Sequence, residues 1–472
     1  MKKGKGLPFP YTNKNGGNMK KDIYLPDGVD TILEILNKVN KQAYVVGGAI
    51  RDCLISKPAK DWDIATDATV SEMKEIFKEY TLIETGIKYG TLTVRINGDN
   101  YEITTFRKDG KYSDSRRPDE VEFTNDLKED LKRRDFTINA LAYHPSTGLI
   151  DYFGGEADIH SKVIKTVGNP DERFSEDPLR ILRAMRFSSK LGFIVDPKTF
   201  LSMNSNKEKL LKISKERIQS ELNGILLGNH VKSNLMINKD ILGIIIPYIS
   251  TTFNFGQESY HHDYDVWTHT VEAINAFQGM STFIPQEDCL IIKLALLLHD
   301  IGKPDVYNPN ETGKGYFIGH EIVSSTKTVE ILKELKYSLD IILTVSTLVF
   351  NHTQTFETKS SVKKFLRKHG EKIFSLLIFV RKCDILAHSS FSVNKHLYKM
   401  DKAKKFYEEI LREKEIFALK DLALNGYDLL SIGLKGKEIG MILDKILEQV
   451  MDGKLKNEHD VLLEEAKKMA EV

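Results

Sequence analysis

Apolar and polar positions alternate with two different periods along this chain. Residues 28–40 place Val29, Ile32, Leu33, Ile35, Leu36 and Val39 at helical spacing, which predicts an amphipathic helix. Ala43–Val46 is a short β-rich run ending in Gly47-Gly48, and Asp61–Ala65 reads as a second short strand. Gly90–Ile96 and Asn100–Phe106 alternate with period two on either side of Asn97-Gly98, a hairpin-turn signal. After about residue 155 strand patterns nearly vanish, and from Asp177 onward long amphipathic helical patterns dominate. The expected fold class is α+β, a mixed α/β N-terminal region followed by an all-α remainder. Composition breaks near Gly154-Gly155, and the apolar-poor stretch Ser250–Tyr264 suggests a further boundary. The expected division is 1–22, 23–154, 155–250, 251–395 and 396–472, with no internal repeat. Residues 1–22 are rich in Gly, Lys and Asn and are expected to be a disordered lead; Met19 is a plausible second start.

The chain has 472 residues, 41% hydrophobic and 29% charged, an ordinary globular composition. Its longest apolar runs, such as Ile241–Ile249, fall short of the roughly 18 residues a spanning helix needs. The basic N-terminus has no apolar segment behind it, so no secretory signal is expected. The three cysteines lie far apart with no CxxC, which argues against a disulfide scaffold and for a reducing, cytoplasmic setting. The net charge is +1, so nucleic acid would have to be met by a local basic stripe. Lys128–Arg134, Lys207–Arg217 and Lys395–Lys414 are candidates, although each alone reads equally as a solvated helix face.

The first chemical constellation begins with Gly47-Gly48-Ala49-Ile50-Arg51-Asp52, which follows a strand and opens a helix. Glycines there let backbone approach a phosphate; taken alone, the motif is more often a tight turn. Asp61-Trp62-Asp63 follows. Residues two apart on a strand share a face, and two adjacent carboxylates repel unless a cation lies between them. Hard oxygen ligands of this kind suit Mg²⁺. Two solvated surface aspartates are the bland alternative. Glu102 is a candidate third carboxylate, or equally an outward strand residue. The supported chemistry is nucleotidyl transfer, with metal ions activating a hydroxyl and steadying pyrophosphate. Arg51 and Arg134 are natural triphosphate ligands.

The second constellation is Glu176-Asp177-Pro178-Leu179-Arg180, running on to Arg183, Arg186 and Phe187. Asp177 sits in a cap position with Pro178 in the first turn. Arg180, Arg183 and Arg186 form a slowly drifting stripe. An ordinary cationic helix face would look the same. The sharper reading is a base reader. Cytosine and adenine each pair an amino donor with a ring-nitrogen acceptor. Asp177 and Arg180 would match them and be left unpaired by uracil or guanine.

These motifs, with Tyr101–Arg107 and Arg133-Arg134-Asp135-Phe136-Thr137-Ile138-Asn139-Ala140, together resemble a class II tRNA nucleotidyltransferase (CCA-adding enzyme); bacterial poly(A) polymerases share most of them. A weaker resemblance continues in Leu424–Leu430 and Gly440–Asp452. The resemblance implies a nucleotidyltransferase head, a nucleotide-selecting neck, and a helical body and tail holding tRNA. It implies that Asp61 and Asp63 ligate Mg²⁺. Gly48, Arg51 and Arg134 would hold triphosphate and sugar. Asp177 and Arg180 would read C or A, supported by Arg183 and Arg186. Arg107–Pro118 resembles the flexible loop needed to switch from C to A. The expected substrates are CTP, ATP and tRNA, with no membrane and no obligate protein partner.

A third constellation comprises His269, His299-Asp300 and Asp384, an order that resembles the HD phosphohydrolases. Imidazole and carboxylate suit Mn²⁺, Ni²⁺ or Zn²⁺, or Mg²⁺ with water. This predicts a second divalent metal, with His320 and His352 lining the pocket or ligating a further ion. His261, His262 and Asp263 lie just upstream without an assigned role. The resemblance implies either a phosphohydrolase or a domain kept as scaffold. Three rivals to CCA addition follow: poly(A) tailing, an HD phosphohydrolase with an inert head, and a nonenzymatic tRNA-binding module.

Overall fold

The computed structural model describes residues 23–109, 121–257, 264–280, 284–309, 315–388 and 390–470. The disordered-lead expectation for 1–22, most of the 107–118 loop, and His261, His262 and Asp263 lie outside these. The chain divides into two compact units, 1–180 with 193–206, and 181–192 with 207–472. The expected boundary near Gly154-Gly155 does not coincide with this division. The stretch beyond it stays tied to the first unit, because Thr137 N–H donates to the Lys165 carbonyl at 2.9 Å and Val167 N–H to that of Asp135 at 3.2 Å.

The first unit opens with helix α1 (Asp27–Lys38), which buries Val29, Ile32, Leu33 and Leu36 as the spacing predicts. Then come β1 (Ala43–Val46), α2 (Gly48–Leu54), β2 (Asp63–Thr66), α3 (Val70–Ile76), β3 (Thr81–Ile83), β4 (Thr91–Ile96) and β5 (Asp99–Thr105). The hairpin β6 (Arg107–Asp109) and β7 (Val121–Phe123), α4 (Leu127–Lys132), β8 (Leu141–His144) and β9 (Gly148–Asp151) complete the sheet region. One seven-stranded sheet runs β3-β4-β5-β2-β1-β8-β9. Asn97 and Gly98 take φ of 54° and 91° in the β4–β5 turn, the left-handed geometry that an Asn-Gly hairpin requires. Behind the sheet, Val46, Ala65, Phe106, Leu127, Leu131 and Ala142 share one core.

Strand β2 is shorter than the pattern predicts. It pairs antiparallel with β1, Val46 opposite Asp63. Gly47, at φ 79°, then turns the chain away, so residues 61–62 have no partner to make a ladder with. Asp61 therefore stands in the lead-in to β2, not on the strand. The unit closes with α5 (Gly155–His160), α6 (Pro170–Glu176), the first turn of α7 (Leu179–Leu191), and α8 (Pro197–Asn206), with the short parallel pair β10 (Val163–Ile164) and β11 (Ile194–Val195).

The second unit is helical: the rest of α7, then α9 (Lys215–Leu226), α10 (Val231–Ile237), α11 (Lys239–Ile245), α12 (Val266–Gln278), α13 (Gln286–Leu298) and α14 (Lys303–Val306). A minimal hairpin, β12 (Asn308–Pro309) and β13 (Gly315–Tyr316), precedes α15 (His320–Glu334), α16 (Leu339–Asn351), α17 (Lys359–Leu386) and α18 (Ser390–Arg412). Gly370, at φ 82°, kinks α17. The C-terminal helices α19 (Gly426–Ser431), α20 (Lys437–Met451) and α21 (His459–Ala470) have their own small core around Leu429, Ile446 and Leu462. No described helix is long and apolar enough to cross a membrane.

Candidate active site

The sheet register sets the acidic edge of the first unit. β2 and β5 are parallel, with Ile64 beside Ile103, so Asp63 stands beside Glu102 one position earlier. Both line a cleft with Arg107, Asp130, Arg133 and Arg134. Asp63 reaches solvent, yet the protein around it raises its pKa; Arg134 pulls it back and Asp61 pushes it up further. Glu102 is raised by desolvation and then by Asp63 and Asp61. Asp63 thus feels the charge of Asp61, and Glu102 that of both, a repulsion that a cation would relieve. Their donor set is oxygen only, which fits a hard divalent ion such as Mg²⁺.

Arg134 stands across from these acids. A Cβ at Gly47 would lie 2.9 Å from its Nη1, so the first glycine of the Gly-Gly turn makes room for this guanidinium as well as bending the chain. Gly48 begins α2. Arg51 is buried; its Nη1 donates to Asn139 Oδ1 at 2.5 Å, and its Nε and Nη2 donate to Asp52 Oδ1 at 2.9 and 2.7 Å. Its guanidinium thus braces the turn from within.

Asp177 caps α7 as its position predicts, its Oδ1 accepting from Leu179 N–H at 3.1 Å. Arg180 is buried and faces Glu176, not Asp177: Nη1 donates to Glu176 Oε2 at 2.6 Å and Nη2 to the Arg133 carbonyl at 3.1 Å. The spacing of Glu176 four residues before Arg180 is the sequence signal for this pair. In the second unit, Arg183 and Arg186 flank the Phe187 ring at 5.7 and 4.4 Å, and Arg186 Nε donates to Glu221 Oε2 at 2.6 Å.

The histidine cluster lies wholly in the second unit, and every group of three ligand atoms within 4.8 Å among the described residues is found there. His269 comes from the first turns of α12, His299-Asp300 from the end of α13, and Asp384 from α17. His269 Nε2 lies 3.1 Å from Asp384 Oδ1 and 3.3 Å from His299 Nε2. Asp300 Oδ2 is 3.3 Å from His299 Nε2, while its Oδ1 is 3.3 Å from His320 Nε2. His320 and His352 meet Nε2 to Nε2 at 3.1 Å.

The Nδ1 atoms decide which ring nitrogen is left for an ion. Those of His299, His320 and His352 each face the carbonyl three residues back, at 2.7, 2.7 and 2.6 Å. That of His269 faces the Ala387 carbonyl at 3.2 Å. A carbonyl only accepts, so each Nδ1 carries a proton and each Nε2 points inward, with a lone pair wherever the ring is neutral. Two lone pairs at 3.1–3.3 Å repel unless a proton or metal lies between them. The fields agree. Burial opposes charge on His299, yet Asp300 and Asp384 hold its pKa at about 10. Burial sends His352 down to about 4. Asp300 overcomes burial through His299 and Lys303 and stays well below the usual carboxylate range.

Three neighbours escaped the sequence reading. His388 Nε2 is 3.4 Å from Asp384 Oδ1, and Arg381 Nη1 donates to Asp384 Oδ2 at 3.2 Å. Lys303 Nζ is 2.6 Å from Asp300 Oδ2. His388 falls one helical turn beyond Asp384, a spacing that would have revealed it.

Comparison with known proteins covers both units of the chain. The family model described as Poly A polymerase head domain matches residues 43–165. Models for an RNA- and SrmB-binding site of polymerase A and for tRNA nucleotidyltransferase domain 2 match 192–252 and 320–466. His269, His299 and Asp300 fall between the matched segments. The structure of the Bacillus stearothermophilus CCA-adding enzyme in complex with CTP is similar at TM-score 0.67 and 25% identity, covering 93% of this chain and 96% of that one. The Thermotoga maritima enzyme complexed with tRNA shares the fold at TM-score 0.58, 20% identity, and coverage of 94% and 96%. Among curated proteins, the CCA-adding enzyme of Ligilactobacillus salivarius is 32% identical over 95% of this chain and 98% of its own. That of Enterococcus faecalis is 33% identical over 94% of this chain and 97% of its own. With likeness of that extent running through head and helical body alike, the chain belongs to the family of CCA-adding enzymes, the tRNA nucleotidyltransferases.

Proposed function

We propose that this chain is a cytoplasmic enzyme that builds or repairs the 3′-terminal CCA of tRNA from CTP and ATP, without a nucleic-acid template. The observation that carries this reading is that Asp63 and Glu102 share one cleft with Arg107, Arg133 and Arg134. In the reaction the RNA 3′-hydroxyl attacks the α-phosphate and pyrophosphate leaves. Mg²⁺ held by Asp61 and Asp63 would supply charge stabilisation to both oxygens. Glu102 adds negative charge to that side and so raises cation affinity. Arg134 faces the anionic triphosphate, with Gly48 allowing close backbone approach and Arg51 bracing the turn. Asp177 and Arg180 read the Watson–Crick edge of C or A. For this, Arg180 must exchange its bond to Glu176 for one to the base, so Glu176 holds the reader in place between turnovers.

Incubating the protein with Mg²⁺ and tRNA lacking CCA, supplied with CTP, ATP, both, or UTP, beside an unstructured RNA, tests this reading. Three residues added only to tRNA, and only with CTP plus ATP, are expected. Long A-tails on both RNAs would instead make it a poly(A) polymerase.

The opposed Nε2 lone pairs favour a second activity, a metal-dependent phosphohydrolase at His269, His299, Asp300 and Asp384. Nitrogen with carboxylate fits a transition metal. Asp300 presents one oxygen to His299 and the other to His320, so it would bridge two ions, with His320 and His352 holding the second. Release of phosphate from a phosphoester in the presence of Mn²⁺ or Ni²⁺, surviving Asp61→Ala/Asp63→Ala, is the expected result. No release with any of these metals would leave the cluster a scaffold.

A further inference from the structure

Asp130 lies on α4 behind the head cleft with 1% of its surface exposed. A carboxylate so placed is costly unless charges and donors surround it. Its Oδ1 accepts from Arg133 Nε at 3.0 Å and Nη2 at 2.9 Å, and from the backbone N–H of Arg107 at 3.3 Å. Its Oδ2 faces Arg134 Nη2 at 3.4 Å. All four residues line the same cleft as Asp63 and Glu102. Ion pairs three and four residues apart on an exposed helix carry a few tenths of a kcal/mol and position little. Here burial removes the screening, and Arg107 joins from β6, a separate element. The segment being held also touches the base reader, because the Arg133 carbonyl accepts from Arg180 Nη2.

We infer that Asp130 is a positioning residue of the nucleotidyl-transfer site: it fixes Arg133 and Arg134 so that their guanidinium groups meet the triphosphate of the incoming nucleotide. The inference rests on the nucleotidyltransferase reading above. Asp130 touches no substrate itself; it acts by removing the freedom of two long side chains before the nucleotide arrives. An arginine left to rotate must be ordered during binding, which weakens affinity for the anion. The deficit should therefore appear in triphosphate and pyrophosphate binding, and not in turnover at saturating nucleotide or in affinity for RNA.

Titration calorimetry of CTP, and separately of inorganic pyrophosphate, with Mg²⁺ and without RNA, tests this in wild type, Asp130→Asn, Arg133→Gln and the double variant. Each single variant is expected to bind both ligands about tenfold more weakly, in keeping with loss of a charged hydrogen-bonded pair. The double variant should lose less than the sum of the two singles, because both changes break the Asp130–Arg133 pair. In tailing assays KM for CTP should rise while kcat and KM for tRNA hold. If Asp130→Asn does not fold, Asp130→Glu displaces the carboxylate by one methylene and should show the same selective loss. Wild-type binding in the folded variant, additive losses in the double, or parallel losses in CTP and tRNA affinity would overturn the assignment. Because binding is read directly, wild type that binds CTP but tails no RNA would refute the CCA reading separately from the role of Asp130.

Discussion

In the head, Asp63 and Glu102 line an open cleft, and Arg133 and Arg134, just past the end of α4, line it with them. In the second unit, two carboxylates are packed among histidines with almost no solvent. Both arrangements concentrate negative charge, and both suit a cation, yet the surroundings divide the chemistry. The open site offers oxygen alone, to a hydrated hard ion that arrives with its nucleotide. The closed site offers imidazole nitrogen beside its carboxylates, a donor set that suits a transition metal. The contrast is one of spacing: among the described residues only the histidine cluster brings three ligand atoms within 4.8 Å of one another.

The comparison breaks most visibly at Asp63. Asp63→Ala is expected to reduce tailing about a thousandfold or more, since metal-ion stabilisation is worth several kcal/mol. Affinity for tRNA in a filter-binding assay should stay near wild type; lost binding would assign Asp63 to structure instead. Next is the closed site. Mn²⁺ titration of chelator-treated protein, read by elemental analysis, should approach two ions per chain. Asp300→Asn should abolish both and His352→Ala one; a single ion in wild type would remove the bridging role of Asp300. Arg180→Ala should let UTP compete about tenfold better, since the edge-matching donor is gone, and unchanged rejection of UTP would refute the reader. It should also lower the melting temperature, because Glu176 loses its buried partner.

The smallest expected effect lies away from both sites and calibrates them. Glu415 meets Lys359 at 2.7 Å and Lys363 across the other oxygen. Burial opposes its charge, yet the two lysines draw its pKa down to about 2. A depressed carboxylate stabilises the fold above its unfolded pKa, and that contribution fades as pH falls toward about 2. Glu415→Gln should therefore cost about 1 kcal/mol at neutral pH, with the difference from wild type shrinking through acid denaturation. A gap independent of pH would contradict the pairing.

Much of the head was legible in the sequence because its signals are local. Asn97-Gly98 dictates its own turn, Asp177 its cap, and the spacing from Val29 to Leu36 its buried face. The length of β2 was not legible, since it depends on where its partner β1 turns off at Gly47. The inward bonds of Arg51 were hidden likewise, because Asn139 is 88 residues distant. In the second unit the order of His269, His299-Asp300 and Asp384 announced a cluster. It could not reveal that His320 and His352 share the other oxygen of Asp300, a fact of helix packing.

Three of the inward-facing imidazoles take their orientation from a carbonyl three residues earlier in the same chain segment. The aim of each ring is thus written in four consecutive residues. No distant side chain has to be retained by selection for these rings to point correctly. These rings present a small mutational target: drift would have to strike the histidines themselves to erase it. The carboxylates differ: Lys303 and Arg381 brace Asp300 and Asp384 from outside, so their aim depends on residues beyond the cluster itself.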